Sequence, residues 1–255
     1  MLLKRPLVKL DVVLGPNLLP GTDLKGARTA AVDVLRATTT IVTALASGAD
    51  KVFPFMSSED IRKYVASRSR KEFLLGGEEQ GLKIPGFDLG NSPLEYLRAD
   101  VVKGKSILFS TTNGTPTMRK AYEGSGFPVY ISSLVNVSAV AEALFKEIMD
   151  GAVKIVFICS GKNGKPSAED TFGAGLVAVK LNEKLQSAGI DLELSDPALI
   201  ASAFTARNES RGFQVLKECE HGRYLQEINF LKDLEFASHI DFYDIAPVFN
   251  GEYIA

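Results

Sequence analysis

Cysteine is nearly missing from this chain: Cys159 and Cys219 are the two in 255 residues. Two cannot build a disulfide framework, and neither belongs to a Cys-x-x-Cys pair of the kind that binds zinc, so both read as plain thiols. Histidine is as scarce, and His221 and His239 lie in amphipathic tail segments without ligand spacing. Long apolar runs are absent too. None approaches the roughly 20 residues that span a bilayer, and the run over 10–14 is too short and acid-containing for a secretion signal. This points to a cytoplasmic protein with no membrane partner. With 29 basic and 31 acidic residues the net charge is −2, and no basic run offers a nucleic-acid surface. An anionic ligand must therefore be held by local groups. What remains, 45% hydrophobic and 24% charged, is ordinary for a globular chain, and a homo-oligomer stays open.

The most informative stretch runs from Ala30 to Ile41. Small and apolar residues lead into Asp33, Arg36 and the triplet Thr38-Thr39-Thr40, and a helical apolar pattern follows at once. That is a buried strand ending at a helix start. Parallel sheets place ligands outside the carboxyl ends of their strands, where the free N–H groups of the next helix attract anions. A plainer reading makes Thr38 or Thr39 a helix cap and Asp33 a partner of Arg36.

Alternation and turn residues predict strands over 8–14, 29–34, 51–55, 73–75, 106–110, 129–131 and 153–159, with helices between them and a long helix over 168–187. The loop 79–91 carries four apolar residues and reads as ordered; it ends in Ser92-Pro93-Leu94-Glu95, the form of a capping box. After Gly189 the pattern turns mainly helical, with a last strand over 243–249. The order strand, threonine cluster, helix, strand, Ser-Ser, helix, strand occurs twice, over 29–77 and 106–161. We therefore expect a single layered α/β/α unit over 1–255 with a largely parallel or mixed sheet and two pseudo-repeated halves.

Three strand ends carry polar clusters: Asp33, Arg36, Thr38 and Thr39; Thr111, Thr112, Asn113, Gly114 and Thr115; and Ser160-Gly161 with Glu169 and Asp170. Hydroxyls, backbone N–H groups and one guanidinium make a cradle for phosphate, since arginine's planar fork matches phosphate oxygens. Asn91, at the end of the long loop, is expected in the same cleft. Asp33, Glu78, Glu169 and Asp170 would hold a hard cation, and Mg2+ suits oxygen ligands shared with water and phosphate. Asp33 and Arg36 are the catalytic candidates. Glu169 and Asp170 also fall in a helix's first turn, where acids are favoured regardless. Glu79 reads as a solvated charge.

Other phosphate chemistries fail on pattern. Residues 161–166 lack the spacer and Ser/Thr of a Walker loop, Cys159 has Lys165 where a cysteine phosphatase wants arginine, and Leu35 stands where an aspartyl-phosphate route would put a second acid. Two readings remain: a metal-dependent phosphomonoesterase, and a non-catalytic binder of a phosphorylated anionic metabolite.

The strings Asp33-Val34-Leu35-Arg36-Ala37-Thr38-Thr39-Thr40, Gly86-Phe87-Asp88-Leu89-Gly90-Asn91-Ser92-Pro93, Ser110-Thr111-Thr112-Asn113-Gly114-Thr115 and Cys159-Ser160-Gly161 with Ala168-Glu169-Asp170 resemble the 2-phosphosulfolactate phosphatase (ComB) family of coenzyme M biosynthesis. The resemblance covers nearly the whole chain. It implies a magnesium-dependent hydrolase that converts 2-phosphosulfolactate to 3-sulfolactate and phosphate, or acts on a related 2-phospho-hydroxyacid. Two departures stand out. Gly77-Glu78-Glu79-Gln80-Gly81 replaces the family's frequent Gly-Glu-Arg-Gly, and Glu220-His221-Gly222 replaces its usual Pro-His-Gly.

Overall fold

The computed structural model describes residues 6–255, so the first five residues of the expected 1–255 unit lie outside it. In chain order the elements are β1 (Leu7–Val13), β2 (Arg28–Val32), α1 (Ala37–Ala46), β3 (Lys51–Phe55), α2 (Ser58–Ala66), β4 (Phe73–Glu79), β5 (Leu82–Lys83), α3 (Pro93–Tyr96), α4 (Ala99–Val102), β6 (Ser106–Ser110), α5 (Gly114–Ser125) and β7 (Val129–Ser132). There follow α6 (Val137–Met149), β8 (Lys154–Cys159), α7 (Ala168–Ser187), β9 (Asp191–Leu194), α8 (Asp196–Asn208), α9 (Gly212–Glu218), α10 (Glu220–Glu227), α11 (Leu231–Ala237) and β10 (Val248–Phe249).

The strands form two sheets. One has the order β10-β7-β2-β8-β1-β9, parallel except for β10; the other has the order β3-β6-β4-β5, parallel except for β5. Period-2 alternation tells each strand what it packs against. Along β2, Ala30 and Val32 face one core with α6 and α7, while Ala31 faces another with α1 and α5. Along β6, Ile107 and Phe109 join that second core, and Leu108 turns to a third with Ile61 of α2. Helices α1 and α5 therefore lie between the two sheets. The layered α/β class with mostly parallel strands is as expected; the strands divide into two sheets, and the second sheet with its outer helix adds two layers.

The halves 29–77 and 106–161 interleave. β2, the first strand of one, sits between β7 and β8, the second and third of the other; β6 sits likewise between β3 and β4. The C-terminal segment then ties the sheets together. β10 pairs with β7, and Ile254 exchanges backbone hydrogen bonds with Val52 of β3 at 3.0 and 2.7 Å.

Several local expectations change. β9 is a strand in the region read as helical, because it adds to the edge of the sheet beside β1. The 79–91 loop contains β5, which folds back on β4. The last strand shrinks from 243–249 to Val248–Phe249. Ser92 does not cap α3; its hydroxyl donates to Asp233 Oδ1 at 2.6 Å. Among the described residues no helix is long and apolar enough to cross a membrane.

Candidate active site

β2 ends where two helices begin, and Asp33 occupies the junction. Its Oδ1 accepts from Ala37 N, the start of α1, at 3.2 Å. Gly114, the first residue of α5, closes in from the other sheet: a Cβ there would lie 2.9 Å from Asp33 Oδ2 and 2.6 Å from the Ala37 Cβ. Glycine lets the two helix N-termini meet over one carboxylate. Both helices are long enough to direct positive dipole ends at the junction. The Leu35–Arg36 peptide bond in this turn is cis.

A cleft of about 350 Å³ opens from the junction, a size suited to a small metabolite. Asp33, Arg36, Glu78, Asn91, Thr111, Thr112 and Asn113, all expected from sequence, line it. So do Gln80, Gly81, Lys162, Asn163, Glu220, His221 and Tyr224, which were not assigned to a site.

Other expected residues stand behind the cleft wall. Thr38 and Thr39 are fully buried, and their hydroxyls donate to the carbonyls of Asp33 and Val34, each at 2.8 Å, so they fix the turn. Thr115 N donates to Thr111 Oγ1 at 3.2 Å. Asp170 accepts from Val34 N at 2.8 Å and Gly161 N at 2.9 Å, locking the β2 and β8 ends together. Glu78 likewise accepts from Thr112 N at 2.8 Å and Gly81 N at 2.6 Å. These carboxylates organise loops with both of their oxygens.

Arg36 has a different place from the one its sequence suggests. Its guanidinium pairs with Asp233 Oδ2 at 2.7 Å, donates to Gly81 O and lies over the Phe230 ring, 4.2 Å from its centroid. Asp33 is not its partner. The arginine fastens the β4–β5 turn and the α11 region to the end of β2.

The tail, which was not expected to contribute, places His221 in the cleft lining beside Glu169. The histidine lies in the first turn of α10, where Cys219 Sγ accepts from Gly222 N at 3.1 Å as the helix cap. His221 Nδ1 lies 3.5 Å from Glu169 Oε1. Burial raises the Glu169 pKa, yet the hydrogen bond and charge of His221, with a backbone N–H and Cys219, more than offset that, leaving it below the usual glutamate value. Asp33 moves the other way. Burial raises it to about 6, helped by Glu78 and Glu169 and opposed by His221 and the Ala37 N–H. His239 instead packs against Phe236 and Phe242.

Of the seven buried side-chain polar atoms without a partner among the described residues, Asn91 Oδ1 belongs to the cleft lining and Glu169 Oε2 to the partner of His221, while Ser160 Oγ sits one residue past the end of β8. Such atoms are rare in a finished interior and mark ligand, ion or water positions. No group of three His, Cys, Asp or Glu side chains among the described residues forms a metal cage. A cation of the magnesium type needs only one or two protein carboxylates, completing its shell with water and phosphate.

The fold and site thus define a layered α/β protein with a cleft of mixed charge at parallel strand ends. The comparisons narrow the class. The 2-phosphosulpholactate phosphatase family model matches residues 13–252. A probable 2-phosphosulfolactate phosphatase of Carboxydothermus hydrogenoformans is 38% identical over 240 residues, 94% of this chain and 92% of its own. One of Symbiobacterium thermophilum is 39% identical over 234 residues, 92% and 96% of the two chains. One of Clostridium perfringens is 36% identical over 248 residues, 96% and 95%. The chain belongs to the 2-phosphosulpholactate phosphatase family, whose members are phosphoric monoester hydrolases.

Proposed function

We propose that the protein is a magnesium-dependent phosphatase that hydrolyses 2-phosphosulfolactate, or a close 2-phospho-hydroxyacid, to the hydroxyacid and inorganic phosphate. The observation that carries the reading is the meeting of two helix N-termini over Asp33 in a cleft of metabolite size. Positive dipole ends favour the phosphate, and the carboxylate between them favours a cation beside it.

Asp33 is the side chain that would hold magnesium, with the unpartnered Glu169 Oε2 as a further oxygen. When bound, that ion supplies positive charge against the phosphoryl oxygens and acidifies a water. The rest falls to the chain's own groups. Thr112, Asn113 and the start of α5 orient the phosphate, a positioning task that dominates phosphoryl transfer. Glu169 fixes the His221 ring through Nδ1, which leaves Nε2 to hold the proton that the departing alkoxide needs. Arg36 keeps Gly81 and Tyr224 closed over the cleft by its bond to Gly81 O; Tyr224 adds a hydrogen bond from its hydroxyl to Gln80 O at 2.8 Å.

The test is phosphate release from 2-phosphosulfolactate with magnesium and with chelator. Release that stops on chelation and returns with magnesium supports the proposal. Binding of the ester without release would favour a binding protein, and release indifferent to chelator would remove the metal from the reading.

A further inference from the structure

One positive charge in the cleft has no carboxylate to answer it. Of the three basic side chains lining the cleft, Arg36 is paired with Asp233 and His221 with Glu169; Lys162 has no ion pair among the described residues. It is nonetheless held firmly. Lys162 N donates to Lys165 O at 3.0 Å and Lys165 N returns a bond to Lys162 O at 2.9 Å. Asn163 (φ 52°) and Gly164 (φ 78°) between them both adopt the left-handed conformation of a type I′ hairpin turn. The turn leaves little slack beneath it, since a Cβ on Gly164 would lie 2.7 Å from the Asn17 side chain. At the far end of the lysine, the ammonium lies 4.4 Å from the centroid of the Tyr224 ring.

A lysine anchored by a tight turn and steadied over an aromatic face has given up much of its freedom before a ligand arrives. It also stands beside the phosphate position. β8, which leads to Lys162, is the hydrogen-bonded neighbour of β2, which leads to Asp33, and Val32 is in register with Cys159. Neighbouring strands are about 4.8 Å apart, a span that one small molecule bridges easily. The other charged side chains of the lining include Glu78 and Glu220, which repel an acid.

We propose that Lys162 binds an acidic group of the substrate other than its phosphate, a sulfonate or carboxylate, and so makes the enzyme select phosphate esters that carry another acid close to the ester. The proposal rests on the phosphatase reading above. It assigns Lys162 to substrate choice and leaves the bond-breaking step to other groups.

The experiment compares the full chain with Lys162→Met, Lys162→Arg and Lys165→Met in magnesium. The substrates are 2-phosphosulfolactate, 2-phospholactate and p-nitrophenyl phosphate, which has no second acid. In Lys162→Met, KM for 2-phosphosulfolactate should rise about 10- to 100-fold with kcat within about twofold. Its preference for that ester over p-nitrophenyl phosphate should shrink by the same factor. Lys162→Arg should recover most of the preference, and Lys165→Met, whose exposed side chain lies outside the cleft, should keep all of it. An unchanged preference in Lys162→Met, or an equal loss of kcat on every ester, overturns the proposal. If the parent releases no phosphate from any ester, the phosphatase reading fails by itself. Calorimetric binding of 3-sulfolactate then decides this one: weaker binding to Lys162→Met than to the parent supports it, and equal or undetectable binding to both overturns it.

Discussion

Arg36 and Asp233, separated by 197 residues of sequence, meet at 2.7 Å with both side chains 2% exposed. Asp233 also accepts from Ser92, and these bonds together with the Arg36 charge oppose the rise in its pKa that burial causes. Removing one member of a buried pair strands the other, at a cost of about 3–5 kcal/mol. Arg36→Ala and Asp233→Asn should each lower stability on that scale in urea, and the double variant should lose less than the sum. Additive losses would show that the two side chains act independently.

Asp33→Asn should separate stability from turnover. The native pKa of Asp33 lies above its ordinary 3.8, at about 6, so the folded state holds the proton more tightly than the unfolded one. Its contribution therefore declines as pH rises from about 4 to about 6. Without metal, the asparagine variant should be more stable than the parent at pH 7, by at most about 3 kcal/mol, and should converge with it below pH 4. Phosphate release should collapse. Paired melting curves at the two pH values and a magnesium titration check both halves.

Glu169 carries the opposite sign. His221 holds its pKa down despite burial, so their interaction adds stability above the ordinary glutamate range that disappears as the solution is acidified below it. His221→Gln removes that side-chain partner. The variant should lose about 3 kcal/mol at neutral pH, less at pH 4, and about 10²-fold or more in kcat. Unfolding curves at both pH values, with turnover at neutral pH, distinguish this from a purely structural histidine, which would not move kcat per folded molecule.

Gly114→Ala should damage the site out of proportion to its size. The added methyl would press on Ala37 and Asp33 Oδ2, forcing the two helix starts apart. We expect a loss of about 1–3 kcal/mol, typical of overpacking, with kcat reduced at least about tenfold. Alanine at Gly104, where nothing lies within 4 Å of a Cβ but φ is +69°, controls for backbone strain alone.

The strand-end clusters were legible because their signals are local: an apolar run, a charge, then a helix pattern. Asp33, Thr111, Thr112 and Asn113 reached the cleft as that logic expects. The partner of Arg36 was not legible because it is remote; nothing beside the strand end announces Asp233. His221 was passed over as part of an amphipathic tail, although its Glu-His-Gly setting, beside the family's Pro-His-Gly, was a usable sign. Thr38 and Thr39 show the reverse error. Their hydroxyls satisfy the carbonyls of a tight turn, and residue type alone does not distinguish that from ligand binding. The two sheets were hidden because strand patterns report which faces are buried but not which strands are neighbours.

The interleaving of β2 and β6 bears on how the chain is made. Thr29 pairs with Val129 on one side and Val156 on the other, so β2 leaves the ribosome long before either neighbour exists. β6 finds its partners already synthesised, but they cannot form a sheet without it. Contacts of such sequence separation slow folding, and neither half closes a sheet by itself. A nascent chain interrupted near its midpoint would carry an unpaired apolar strand, a natural client for a chaperone. Conversely, two fragments divided in the exposed segment around Arg98 should stay unfolded apart and fold only as each supplies the other's central strand.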